Sequence, residues 1–254
     1  MFEQTGVRLR DSKKALVISR LRKRLDELNC PDFTGYIKRL NSGNLSEIEY
    51  FVNALTTNET FFFRHTKQFN YLYEVILPEF AKQGKKKLEI WSAASSTGEE
   101  SYSVAIALTE YAKKEPMDFK IYASDINSEV IQEAKEAIYD ERALKEVPQS
   151  LRERYFKPIA QGKMTTQFAL SEMIKRRVEF FEHNLQQGSL VRGMDIIFLR
   201  NVLIYFERNI KEKVIQNLEP CLKSGGYFFI SPSESLNDIN TGLQLVGSAI
   251  FKKP

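Results

Sequence analysis

From Lys85 onward, short runs of apolar, β-branched and aromatic residues alternate with patterns of helical period, and this alternation restricts the chain to few folds. Leu88-Glu89-Ile90-Trp91 reads as a strand, followed by the small-residue run Ser92-Ala93-Ala94-Ser95-Ser96-Thr97-Gly98. A helix opens at Glu99 and carries Tyr102, Ala105, Ile106 and Leu108. Residues 119–123 form a second strand ending at Ser124-Asp125, and the next helix holds Val130, Ile131, Ala134, Ala137 and Ile138. Residues 178–181 and 194–199 read as further strands. A helix over 211–222 then leads through Gly225-Gly226 into a strand at 227–231, and 243–251 reads as one more strand or hairpin. Such alternation builds a mostly parallel sheet covered on both faces, an α/β fold. The irregular stretch at about 150–180 breaks the rhythm and reads as a small inserted subdomain.

The first 72 residues read as helices. Val17, Leu21, Leu25 and Leu28 fall on one stripe, and Arg20 and Lys23 lie off it. Asp32 is placed to cap a helix through Tyr36 and Leu40, and Ser46 another through Ile48, Phe51, Val52 and Leu55. Charge is concentrated in the same region. Residues 1–30 carry eight basic and four acidic side chains, which accounts for the whole net charge of +4. A basic surface at one end of a neutral body suggests an acidic partner. The 2 cysteines and 2 histidines are too few and too scattered for a disulfide scaffold, and they disfavour a His/Cys metal site. No apolar run approaches the ~20 residues of a membrane span, and no signal-peptide pattern opens the chain, so a cytoplasmic protein is expected.

In sheets of this class ligands bind at the carboxyl ends of the strands. The loop after the first strand has one glycine, Gly98, and fits neither dinucleotide nor P-loop fingerprints. Glu99 and Glu100 would repel a pyrophosphate but suit a cationic ligand, or they simply complement the helix dipole. Asp125 stands where a ribose-binding acid belongs, or caps a helix. Together these point to a nucleoside that carries positive charge and no phosphate, as S-adenosylmethionine does. Ser-His-Asp chemistry lacks its sequence elbow, so His65 and His183 read as hydrogen-bonded structural groups and Cys221 and Trp91 as core. Asn58-Glu59-Thr60-Phe61-Phe62-Phe63-Arg64 and Arg200-Asn201-Val202-Leu203-Ile204-Tyr205-Phe206 set polar side chains beside aromatics at the domain seam and at a strand end.

These two runs, with Asn53-Ala54-Leu55-Thr56-Thr57, Trp91 through Glu100, Ala123-Ser124-Asp125-Ile126 and Asn184-Leu185, resemble the CheR-type chemotaxis receptor methyltransferases. The departures are small: Ser101 stands where that family often has proline, and Ser95-Ser96 vary the loop. The resemblance implies a helical domain (1–72) and a class I methyltransferase domain (73–254) with a β-subdomain inserted at about 150–180. It implies S-adenosyl-L-methionine as cofactor, S-adenosyl-L-homocysteine as product, and glutamate carboxylates of chemoreceptors as substrate. By that likeness Asn58, Thr60 and Arg64 reach over the cofactor, Glu100 (with Glu99 as second candidate) lies by its methionine end, and Asp125 holds the ribose. Asn184 and Leu185 border the adenine, Arg200 and Asn201 close the pocket, and Arg64 and Tyr205 stand nearest the transferring methyl group. Lys13, Lys14, Arg20, Lys23 and Arg24 become the docking surface for the acidic helical methylation region of the receptor cytoplasmic domain. The expectation is a monomer with no metal, no nucleic-acid partner and no membrane insertion. The alternatives are a non-catalytic S-adenosylmethionine-binding signalling module and a methyltransferase acting on another protein or on nucleic acid.

Overall fold

The computed structural model describes residues 1–8, 11–159 and 166–254. Its centre is a seven-stranded sheet of β1 (Lys87–Ala93), β2 (Asp118–Asp125), β6 (Val178–Glu182), β7 (Met194–Phe198), β8 (Leu222–Phe229), β9 (Gln244–Gly247) and β10 (Ile250–Lys252) in the order β6-β2-β1-β7-β8-β10-β9. The first five in that order run parallel, and β10 and β9 close the edge antiparallel. Every residue of β7 is buried, as a strand covered on both faces requires. The sequence order reverses at β1, which pairs with β2 on one side and β7 on the other. The carboxyl ends there flank the crevice where ligands of such sheets bind.

Asp195, in the middle of β7, is the polar exception in this strand. It is fully buried and lies 2.6 Å from Lys85 Nζ and 3.0 Å from Lys223 Nζ, and it accepts the Glu89 N–H at 2.7 Å. Removing the carboxylate strands that N–H and leaves two lysines without their counter-charge. Both lysines keep access to water, which limits the loss. Asp195→Ala is expected to cost about 2–4 kcal/mol, read as a lowered denaturant midpoint at unchanged slope.

A separate three-stranded antiparallel sheet, β3 (Ile138–Asp140), β5 (Gln167–Leu170) and β4 (Phe156–Ile159), lies outside the main one. The inserted unit therefore runs from 138 to 170 instead of about 150–180, and its residues 160–165 lie outside the described residues. Its early start has a local cause. Ala137 adopts a left-handed conformation (φ 55°) that ends the Ser128–Glu136 helix, so Ile138, expected in that helix, opens a strand. Likewise the Arg208–Leu218 helix stops before a 3-10 turn, and Leu222 belongs to β8.

The N-terminal helices Lys14–Glu27, Phe33–Asn41 and Leu45–Leu55 pack around Leu21, Leu25, Tyr36 and Leu55. Asp32 caps the second helix through Gly35 N–H, as expected, but Asn44 and not Ser46 caps the third, accepting from Glu47 N–H. Phe62, Phe63, Phe69, Leu72, Ile76 and Phe80 join the core of the sheet. The packing seam thus falls between Leu55 and Phe62, ahead of the expected 72/73 boundary. Across the seam the contacts are polar. Asn127 caps the Ser128–Glu136 helix with its Oδ1, while its Nδ2 donates to Asn53 O (3.2 Å) and Thr56 Oγ1 (2.7 Å).

Candidate functional site

Four strand ends and two N-terminal segments enclose one cavity of about 480 Å³, within the range of small-molecule sites. After β1 the chain must turn sharply to start the Glu99–Ala112 helix. Ala94 and Ser96 have positive φ, and Ala94 N and Ser95 N both donate to Ser124 O at 2.8 Å. Gly98 (φ 93°) completes the turn. A Cβ there would press on Ala134, Phe180 and Tyr102 at 3.1 Å, so backbone conformation and space both demand glycine. β2 ends at Asp125, 9% exposed. Its Oδ2 accepts Ser96 N–H (2.9 Å) and its Oδ1 accepts Asn127 N–H (3.1 Å). Burial raises the Asp125 pKa, and the three backbone donors at Asn127, Ser96 and Ile126 pull against that.

Glu100 stands in the first helical turn, with Ser92 Oγ donating to its Oε1 at 2.7 Å and Arg200 Nη1 3.2 Å from its Oε2. Burial raises its pKa and Arg200 opposes the rise. Arg200, after β7, is 5% exposed; it donates through Nη2 to the Arg64 carbonyl and lies over the Phe69 ring. Arg64 is itself held by an Nη1 bond to Glu59 O (2.7 Å) and faces the Phe61 ring. The residues on either side of it, Phe63 (φ 56°) and His65 (φ 65°), are both left-handed. Among the described residues, five of the eight non-glycine positive-φ positions (Phe63, His65, Ala94, Ser96, Asn201) line or flank this cavity. Conformations of this kind cost about 1–3 kcal/mol each and concentrate at functional sites.

The cavity wall includes Asn58, Thr60, Arg64, Glu100 and Asp125, and, from the far strands, Asn184, Leu185, Arg200, Asn201 and Tyr205. All ten expected cofactor or catalytic residues therefore meet in one place. Asn184 is also tied to the chain itself, donating to Gln4 O (2.7 Å) and accepting Gln186 N–H (3.0 Å). Glu99 does not line this cavity. It is buried on the far side of the loop, takes a bond from Thr97 Oγ1 (2.7 Å), and burial pushes its carboxyl up to about 7. Of the basic set, Lys13 lines the cavity, and Lys14 and Lys23 are exposed. Arg20 donates to Ala54 O and Thr56 O, closing the end of the Leu45–Leu55 helix. Arg24 departs from the expected docking role: Nε and Nη2 bind Glu47 at 3.1 and 2.7 Å, and Glu47 is 1% exposed and also accepts from Tyr36 Oη. Its charge is committed to holding the helices together.

Three contributors went unnoticed in the sequence. Thr5, Val7 and Arg8 line the cavity because Val7 bridges Phe206, Arg8 N–H reaches Tyr205 O, and Arg8 pairs with Glu207. His183, expected to be a hydrogen-bonded structural residue, is a wall residue whose buried Nε2 has no partner among the described residues. Burial lowers its pKa, favouring the neutral ring. Glu234 organises the turn that carries Asn201 and Tyr205. An acid five residues after a strand carries no sequence signal of this kind; the N-terminal basic run signalled only charge.

A mostly parallel sheet reversing at β1, with a crevice that pairs an acid at the end of β2 with a one-glycine loop after β1, is a nucleoside-binding α/β arrangement, here that of the S-adenosylmethionine-dependent methyltransferases. Residues 58–251 match the CheR methyltransferase, SAM binding domain, and residues 1–56 match the CheR methyltransferase, all-alpha domain. The chain belongs to the CheR methyltransferase family. It is 35% identical to the chemotaxis protein methyltransferase of Salmonella typhimurium over 99% of this chain and 86% of that one. It is 33% identical to that of Borreliella burgdorferi, over 100% and 91%, and 33% identical to that of Escherichia coli, over 99% and 87%.

The cavity fits S-adenosylmethionine on its own chemistry. Asp125 accepts backbone N–H groups on both oxygens, from Ser96, Asn127 and Ile126, and its carboxylate keeps acceptor capacity for a ribose hydroxyl. Arg200 Nε is buried without a partner among the described residues, a donor suited to an oxygen ligand. Glu100 supplies negative charge for an ammonium, and Ile126 and Leu185 supply apolar wall. Among the described residues no helix is long and apolar enough to cross a membrane.

Proposed function

We propose that the chain methylates glutamate side-chain carboxylates of chemoreceptors, giving methyl esters. The observation that supports it is one cavity combining Asp125 and Glu100, suited to a cationic nucleoside, with Arg64 and Tyr205, suited to a carboxylate. When bound, S-adenosylmethionine supplies a methyl group on a sulfonium sulfur, which a carboxylate converts into a neutral ester and a neutral thioether. A glutamate with pKa near ~4.3 is already ionised at neutral pH, so no residue has to remove a proton. The work left to the chain is alignment and exclusion of water. Asp125 holds the ribose, Glu100 the methionine ammonium, and Leu185 with Ile126 the base. Asn58, Thr60 and Asn201 cover the cofactor. Arg64 and Tyr205 hold the substrate oxygen in line.

Lys14 and Lys23, with Lys13 at the cavity edge, form the exposed basic face on which an acidic receptor helix would lie, on the cytoplasmic side of the membrane. The relatives named as chemotaxis protein methyltransferases support this substrate class. The test is label transfer from methyl-labelled S-adenosylmethionine to a receptor cytoplasmic fragment. The expected result is label released as methanol by mild base. Base-stable label, or none, overturns the reading.

A further inference from the structure

Glu234 lies outside the cavity lining, on the loop after β8, yet its carboxylate holds the backbone of the turn that leads from Arg200 to Tyr205. Oε2 accepts Asn201 N–H at 3.1 Å and Ser231 N–H at 2.8 Å, and Oε1 accepts Ile204 N–H at 3.3 Å. A second layer joins it. Ser231 Oγ accepts from Asn201 Nδ2 (2.9 Å) and lies 3.3 Å from His65 Nε2, next to Arg64. The turn needs this support. Asn201 is left-handed (φ 60°), and only a single 3-10 turn, Leu203–Tyr205, follows it. A turn this short satisfies few of its own N–H groups, and a carboxylate that accepts several of them fixes its shape.

We propose that Glu234 is a positioning residue for the methyl-transfer reaction: it sets the placement of Tyr205 and Asn201 by pinning the backbone between them. This rests on the role given to Tyr205 above. A carboxylate is required. An amide would turn an NH2 group toward backbone N–H donors and lose an acceptor on that side. Glu234→Gln is isosteric and opens no cavity; because it also removes a charge that acts on Glu100 and Arg200, amide exchange over the turn is read beside transfer.

The test measures kcat and KM for the receptor fragment in the wild type, Glu234→Gln, Tyr205→Phe and the double variant, with amide exchange of peptides spanning 199–206. The expected result is a kcat about 30-fold lower in Glu234→Gln with receptor KM within about 3-fold of wild type. The same substitution should cost less than about 3-fold when Tyr205 is already Phe. Exchange over 199–206 should accelerate in Glu234→Gln. Equal losses in both backgrounds would assign Glu234 to general stability and overturn the proposal. So would unchanged kcat or unchanged exchange. If Glu234→Gln does not fold, Ser231→Ala, which removes the hydroxyl between Asn201 and His65, should show the same dependence on Tyr205, and independence overturns the proposal. A wild type that fails to label the receptor refutes the substrate reading alone, and the exchange measurement then decides the role of Glu234.

Discussion

Replacing Arg64 with alanine should lower kcat for methyl transfer about 10²-fold while S-adenosylmethionine affinity changes less than about tenfold. The size follows from what the side chain does. Its guanidinium is fixed before any ligand arrives, by Glu59 O at 2.7 Å and by the Phe61 ring, and the backbone on either side is locked in left-handed conformations. Charge is neutralised as the methyl group moves, so the guanidinium contributes alignment and not stabilisation of developing charge, and misplacing a reactant by about an ångström costs about 10²-fold. The Arg64 carbonyl that receives Arg200 is backbone and survives the substitution, so the buried Arg200–Glu100 pair stays in place. Single-turnover kinetics with calorimetry of cofactor binding separate the two quantities. Full turnover in the variant would remove Arg64 from the reaction.

Asp125→Ala should show the opposite split, weakening S-adenosylmethionine binding about 10²-fold or more. Two hydroxyls bound to one carboxylate are charge-assisted hydrogen bonds worth about 1.5–3 kcal/mol each, and about 3 kcal/mol corresponds to 10²-fold. The substitution also frees Ser96 N–H and Asn127 N–H, so the loop after β1 loses its tie to β2 and thermal stability falls as well. Asp125→Asn, which keeps one acceptor oxygen and the packing, should fall between. Equilibrium dialysis of S-adenosylmethionine without receptor gives the affinity. An unchanged dissociation constant in Asp125→Ala would show that the carboxylate serves only the loop.

Much of this architecture can be read directly from the chain. β1, β2 and β7 are apolar runs bounded by polar or small residues, and the rule that ligands sit at strand ends brings Glu100, Asp125 and Arg200 to one crevice. The likeness to a family added the roles. What stayed hidden depends on contacts between distant residues or on unusual backbone. Val7 meets Phe206 through one isolated bridge, which no periodicity announces. Arg24 looked like surface charge because Glu47, its partner, lies 23 residues away on another helix. Ala137 ends a helix in a left-handed conformation that glycine or asparagine usually signals, and so the inserted sheet began earlier than expected.

The two sides of the cavity are fastened differently. Phe62 N–H to Ala143 O and Phe63 N–H to Ser103 Oγ tie the Arg64 wall to the sheet's own core. The wall that includes Thr5, Lys13 and Leu16 belongs to the small helical unit, joined to the rest by the polar set Asn53, Thr56, Asn127 and Ser128, by the Val7–Phe206 bridge and by Asn184 on Gln4. The Asn127–Asn53 hydrogen bond is buried and the bonds to Thr56 and Ser128 are half-buried, so this side is held by directional polar contacts and the other by packed aromatics. Breaking the Asn127 contacts therefore loosens the wall that carries Thr5, Lys13 and Leu16, and leaves the Arg64 wall to its own apolar core.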